Sequence, residues 1–148
     1  MSDHAESAKA LFLKGYNCSQ AVLCAFEDVT GFDRDTAARL SSSFGGGMGR
    51  MREVCGAVSG ALMVLGIARG YSEPTDNEAK KRHYALVQDF AARFREKNGS
   101  IICRELLGEA KTAPNPEPEK RTAEYYKKRP CPELVYEAAR IVEEMLEL

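Results

Sequence analysis

The sequence predicts an all-α fold, a single-domain helical bundle of about six or seven helices around a central apolar helix. Three observations predict it. Apolar residues recur at spacings of three and four through most of the chain, no segment of useful length alternates with a period of two, and cap residues stand where the periodic runs begin and end. The 148 residues suit one ordinary domain, and 44% hydrophobic with 29% charged residues is a globular composition. There is no internal repeat, so residues 1–148 read as one unit.

The elements follow in order. Ala5, Ala8 and Phe12 mark a first helix that stops at Gly15. Asn17 caps the second, with Gln20 placed for a capping box, and that helix runs through Val22, Ala25 and Val29 to Gly31. Asp33 opens a shorter helix that extends to Phe44 and is closed by Gly45-Gly46-Gly47. Residues Cys55 to Gly70 are apolar all the way round, as in a helix buried at the centre of a bundle. Within it, Gly56 and Gly60 lie one turn apart and let another backbone come close. Each costs about 1 kcal/mol of helix stability against alanine, so close packing is the expected compensation.

Ala79, His83, Leu86, Phe90 and Phe94 form the stripe of a further helix, ended by Asn98-Gly99. Ser100 is placed to cap a short helix through Cys103 and Leu107, closed by Gly108. Pro114, Pro116 and Pro118 lie among lysines and glutamates, so about 109–130 reads as an exposed connection rich in Pro and Lys. Leu134, Ala138, Ile141, Met145 and Leu148 make the last helix. Cys131 is its expected N-cap, and Pro132 falls in its first turn.

Composition excludes some functions. A formal net charge of -1 gives no global attraction to nucleic acid or to an anionic membrane. The start, Met1 to Glu6, lacks the pattern of a signal peptide, and the longest apolar stretch, Ala57 to Ala68, is too short for membrane insertion. The expected location is therefore cytoplasmic, where disulfides are seldom structural and those that form are usually catalytic or redox-sensing.

Five cysteines in that compartment call for a reason. Cys18, Cys55, Cys103 and Cys131 are each expected in the first turn of a helix, where unpaired N–H groups and the macrodipole favour a thiolate. Any one of them alone reads more readily as a small buried hydrophobe. Four in the same setting point to a converging, activated cluster. Cys24, among Val22, Leu23, Ala25 and Phe26, reads as core.

The segment Phe44-Gly45-Gly46-Gly47-Met48-Gly49-Arg50, followed by Val54-Cys55-Gly56-Ala57-Val58-Ser59-Gly60-Ala61, resembles the family named for its C_GCAxxG_C_C pattern. Cys18 in Asn-Cys-Ser-Gln-Ala-Val matches its first cysteine, Cys55 the central motif, and Cys103 and Cys131 the last two. The resemblance covers nearly the whole chain and leaves Cys24 outside the pattern. It implies a redox-active protein, and the family's gene neighbourhoods imply a functional link to a transporter.

The leading expectation is thiol–disulfide exchange by Cys18, Cys55, Cys103 and Cys131, the chemistry of a thiol–disulfide oxidoreductase with a redox partner the sequence does not name. Four cysteines allow three pairings, and Cys18 with Cys55 plus Cys103 with Cys131 is the expected one. Cys55 is the expected reactive residue, since its adjacent glycine opens access to the sulfur. An alternative is a metal site, zinc or an iron–sulfur cluster, on the same four thiolates, although no close chelating pair is present. Another is a non-catalytic helical interaction module. Unburied apolar stripes could support a homodimer.

The remaining signals carry blander expectations. Gly45 to Gly49 is no phosphate loop, since no Gly-Lys-Ser/Thr follows, and reads as a tight turn approaching the cysteines. Met48 and Met51 are expected in packing, Arg50 and Arg52 in solvent, and His83 in a hydrogen-bonded core position. His4 is expected in a mobile terminus. Lys127-Lys128-Arg129 beside Tyr125-Tyr126 reads as a solvated face.

Overall fold

Side-chain caps fix where the first helices begin. Asp3 accepts from the Glu6 amide at the start of α1 (His4–Leu13). Asn17 and Gln20 complete a reciprocal capping box at the start of α2 (Cys18–Ala25). Asp33 accepts from the Thr36 amide at the start of α4 (Arg34–Ser41). Between the last two lies the single turn α3 (Glu27–Thr30), ended by left-handed Gly31. The expected continuous helix to Gly31 is thus broken at Phe26, whose backbone (φ -111°, ψ 33°) leaves the helical range while its ring is fully buried.

A computed structural model describes residues 3–108, 117–123, 125 and 130–148. After α4 a 3-10 turn (Ser42–Phe44) leads into the glycine segment, then α5 (Gly56–Arg69), α6 (Asn77–Asn98), α7 (Cys103–Leu107) and α8 (Cys131–Leu146). Asp76 caps α6, and left-handed Gly99 and Gly108 end α6 and α7. Among the described residues there is no strand, only an isolated antiparallel bridge between Val54 and Ile102. The fold is all-α, as expected.

The helix at the middle of the bundle is α2, which packs against α1, α4, α5 and α8. The expected centre, α5, is buried along Gly56, Ala57, Gly60, Ala61, Val64 and Leu65, but Leu62 and Met63 are only partly covered and Ile67 is half exposed. Its composition is that of a buried helix, yet among the described residues that outer side stays partly exposed. Fully buried Phe12, Phe26, Phe90 and Phe94 dominate the core, each worth about 1.5–3 kcal/mol by area removed from water.

The contact of α2 with α5 is backbone against backbone. A Cβ at Gly60 would lie 2.7 Å from the Ser19 carbonyl oxygen, and one at Gly56 would lie 2.9 Å from the Phe44 carbonyl oxygen. Ser19 is itself fully buried and donates to the Ser41 carbonyl at 2.6 Å, which fastens the end of α4 to the same point. The close packing expected of this glycine pair is present.

His4, far from being mobile, is 3% exposed. Its ring stacks on Phe26 at 4.3 Å and lies within hydrogen-bond distance of Asp28 (3.0 Å) and Glu143 (3.2 Å), and its backbone amide also donates to Glu143. The signal missed was the position of His4 as the first residue behind the Asp3 cap. His83 is another correction: it is half-buried in an edge contact with Tyr71, and among the described residues its buried Nδ1 has no hydrogen-bond partner. Lys127, Lys128, Arg129 and Tyr126 lie outside the described residues, as does much of the connection.

Two outcomes test this packing. Gly60→Val forces a methyl-bearing carbon against the Ser19 carbonyl and is expected to lower stability by about 1–3 kcal/mol in urea unfolding, whereas Gly66→Ala, with open space around it, should stabilise or be neutral. His4→Ala removes a partner of a buried carboxylate and is expected to cost about 1–3 kcal/mol, read in the same unfolding curves.

Candidate functional site

The four helix starts converge. Cys18 is the first residue of α2, Cys55 the residue immediately before α5, Cys103 the first of α7 and Cys131 the first of α8. All four line one cavity of about 320 Å³. Local contacts explain the convergence. The glycine at 56 lets α5 approach so that a Cβ there would sit 3.1 Å from the Cys18 Cβ. The Val54–Ile102 bridge pins the two residues that precede Cys55 and Cys103, with the Cys55 amide donating to Ile101 (2.8 Å) and the Cys103 amide to Glu53 (2.6 Å). Cys131 is in turn the neighbour that acts most strongly on the Cys18 thiol. Cys24 points away, buried with its Sγ 3.9 Å from the Arg34 carbonyl oxygen, as its core assignment requires.

Gly45 to Met48 closes one helix-like turn, but Gly46 and Gly47 are left-handed, and so are Met48, Gly49, Arg50 and Arg52. For the three non-glycine residues that conformation costs about 1–2 kcal/mol each. The strain has a steric origin. A Cβ at Gly47 would lie 2.7 Å from the Cys103 Cβ, and one at Gly45 would collide with the Asn17 side chain. The turn is therefore pressed against the cysteines, as its glycines suggested.

Passing through this turn brings two arginines inward, contrary to the expected solvent positions. Arg52 is 6% exposed, with Nη1 3.8 Å from the Cys103 sulfur. Arg50 lines the cavity and meets Glu119 at 3.5 Å. Met48 and Met51, expected in packing, are instead exposed. The described part of the connection also departs from expectation. Residues 117–120 are exposed, but Arg121 donates to the Phe12 and Tyr16 carbonyls at 3.0 Å and stacks over the Phe12 and Tyr125 rings, so this segment straps one side of the cavity. The spacing of Arg121 and Tyr125, one helical turn apart, was the available signal.

The electrostatics overturn the expectation of thiolates favoured at helix starts. Hydrogen bonding to Cys131 and burial hold the Cys18 thiol well above its ordinary value. Burial pushes Cys55 up to about 12, although the amides of Ala57 and Val58 pull the other way without reaching capping geometry. Desolvation thus outweighs the helix end at both positions. The neighbouring thiols add to it, since each sulfur disfavours charge on the others. Cys55, at 3% exposure and with Gly56 packed rather than open, also lacks the access expected of the reactive residue. Cys131 is the half-buried member of the four.

No cysteine pair stands at disulfide distance. Among the described residues, no three of His, Cys, Asp or Glu are arranged to hold a metal ion. Nor, among them, is any helix long and apolar enough to cross a membrane.

The raised thiols set a pH dependence. A group whose folded value is raised stabilises the fold below its unfolded value and loses that contribution as pH rises toward the folded one. Stability is therefore expected to hold to about pH 9 and fall between the ordinary thiol value of 9.0 and about 12. Cys55→Ala should flatten that fall, measured as the urea midpoint against pH.

A search of characterised proteins finds no match for this chain, and a search of solved structures finds none either. One family model does match, over residues 16–145, and its description is "Putative redox-active protein (C_GCAxxG_C_C)". The match spans all four cavity cysteines and the glycine turn, and the chain belongs to the C_GCAxxG_C_C family.

Proposed function

We propose that this protein is a thiol–disulfide oxidoreductase whose working pair is Cys131 and Cys18, with Cys55 and Cys103 completing the cluster behind them. The observation that carries the reading is the convergence of both thiols on one cavity, where Cys131 is the neighbour that acts most strongly on Cys18, one thiol buried and the other half-buried. Neighbouring sulfurs on one cavity need less movement to bond than distant cysteines, which need backbone movement.

In this reading Cys131, the accessible thiol, gives up its proton to solvent and attacks one sulfur of a substrate disulfide. The substrate S–S bond breaks, a mixed disulfide forms at Cys131, and the departing thiolate takes up a proton. Cys18 then attacks the Cys131 sulfur, the Cys18–Cys131 disulfide forms, and the second half of the substrate leaves as a thiol. Two thiols are oxidised, one disulfide is reduced, and an external dithiol restores the starting state. The raised Cys18 value suits the resolving role, because its proton is held until the neighbouring sulfur has been converted to a mixed disulfide and no longer shares its hydrogen bond.

The test is peptide mass spectrometry of reduced protein after mild oxidation by a small disulfide. The expected product is a reversible Cys18–Cys131 linkage with loss of two thiols, and finding all five thiols intact would overturn the reading. Cys131→Ser is expected to abolish the oxidation. Cys18→Ser should instead trap a stable mixed disulfide on Cys131, visible as an added mass, while Cys24→Ser should leave the reaction unchanged.

A further inference from the structure

The dithiol reading leaves open what kind of disulfide enters, and the walls of the cavity bear on it. At about 320 Å³ the cavity lies at the lower end of small-molecule sites. Three of its cysteines are buried, so a disulfide carried on a folded protein surface reaches no deeper than Cys131.

The described lining also carries an uneven charge. Arg50, Arg52 and Arg121 face it against the single carboxylate of Glu119. Arg121 is committed to two backbone carbonyls and two aromatic rings. Arg52 is nearly sealed from solvent beside Cys103. Arg50 meets Glu119 through Nη2 alone, and among the described residues its buried Nη1 has no hydrogen-bond partner. A buried charged donor without an acceptor is costly, and such groups in folded proteins call for a ligand, an ion or water. The backbone strain at both arginines shows that the fold holds them inward against its own conformational preference.

We propose that the cavity binds a small anionic disulfide, one bearing carboxylate or a similar oxyanion, and that Arg50 and Arg52 hold its charge beside the thiols. The inference rests on the dithiol reading above. One substrate disulfide and the Cys18 and Cys131 thiols become the Cys18–Cys131 disulfide and two small anionic thiols. Arg50 offers its unpartnered Nη1 as a charged donor to the oxyanion. Arg52 keeps positive charge near the sulfurs while the thiolates pass through their charged state.

The experiment compares three disulfides of similar size as oxidants of the reduced full chain: those of mercaptopropionate (anionic), mercaptoethanol (neutral) and cysteamine (cationic). Each rate is divided by the rate of the same disulfide with free dithiothreitol, which removes differences in intrinsic reactivity. The anionic disulfide is expected to react about tenfold faster than the neutral one, with the cationic one slowest. Arg50→Gln should erase that order, lowering the normalised rate of the anionic disulfide to that of the neutral one measured on the same variant. Suberate, the same dianion with carbons in place of the sulfurs, should bind the reduced wild-type chain by calorimetry and fail to bind Arg50→Gln. Equal normalised rates with loss of two thiols in each case would overturn the anion site and leave the dithiol reading standing. Failure of all three disulfides to oxidise the chain would overturn both.

Discussion

The contact of two backbones at Ser19 and Gly60 is the constraint on which the rest of this protein hangs. Helix α2 and helix α5 can approach that closely only because two side chains are missing at positions 56 and 60. The same approach sets Cys18 beside the start of α5, where Cys55 stands. Ser19 then uses its hydroxyl to hold the end of α4, and the chain leaving α4 becomes the glycine turn. A methyl group in the wrong place would therefore disturb a helix pair, a turn and a cysteine cluster together. Much of the precision of the site comes from what these residues lack.

A second balance is electrostatic. Helix starts supply partial positive charge, but enclosing the sulfurs among one another and away from water works against ionisation more strongly. The fold answers with guanidinium groups, which are brought inward by backbone conformations that L-residues avoid. Cys18 and Cys55 are thus held as thiols in a cavity that guanidinium groups line.

Much of this architecture was legible in the sequence because local rules decide it. Asn17 and Gln20, Asp33, Gly31, Gly99 and Gly108 cap or end helices through their own backbone preferences, and the structure places each where those preferences say. The glycine pair in α5 and the convergence of the cysteine helices were legible for the same reason. What stayed hidden depends on tertiary context. Phe26 breaks a helix to bury its ring, α5 is apolar on a side that stays partly exposed, and His4 finds a carboxylate far along the chain. Arg50 and Arg52 look like solvent residues until the left-handed turn reverses their direction. The sign of the thiol shifts was illegible because burial, a property of the whole fold, outweighs the helix ends that the sequence displays.

The pairing of the first helix with the last, fastened where His4 meets Glu143, also orders events during synthesis. A chain made from its N-terminus at about 5–20 residues per second exposes α1 and α2 before α8. Those helices stand uncovered until α8 emerges. Cys18, Cys55 and Cys103 are likewise made before Cys131, and docking of α8 is the step that turns separate cysteines into one enclosed cluster.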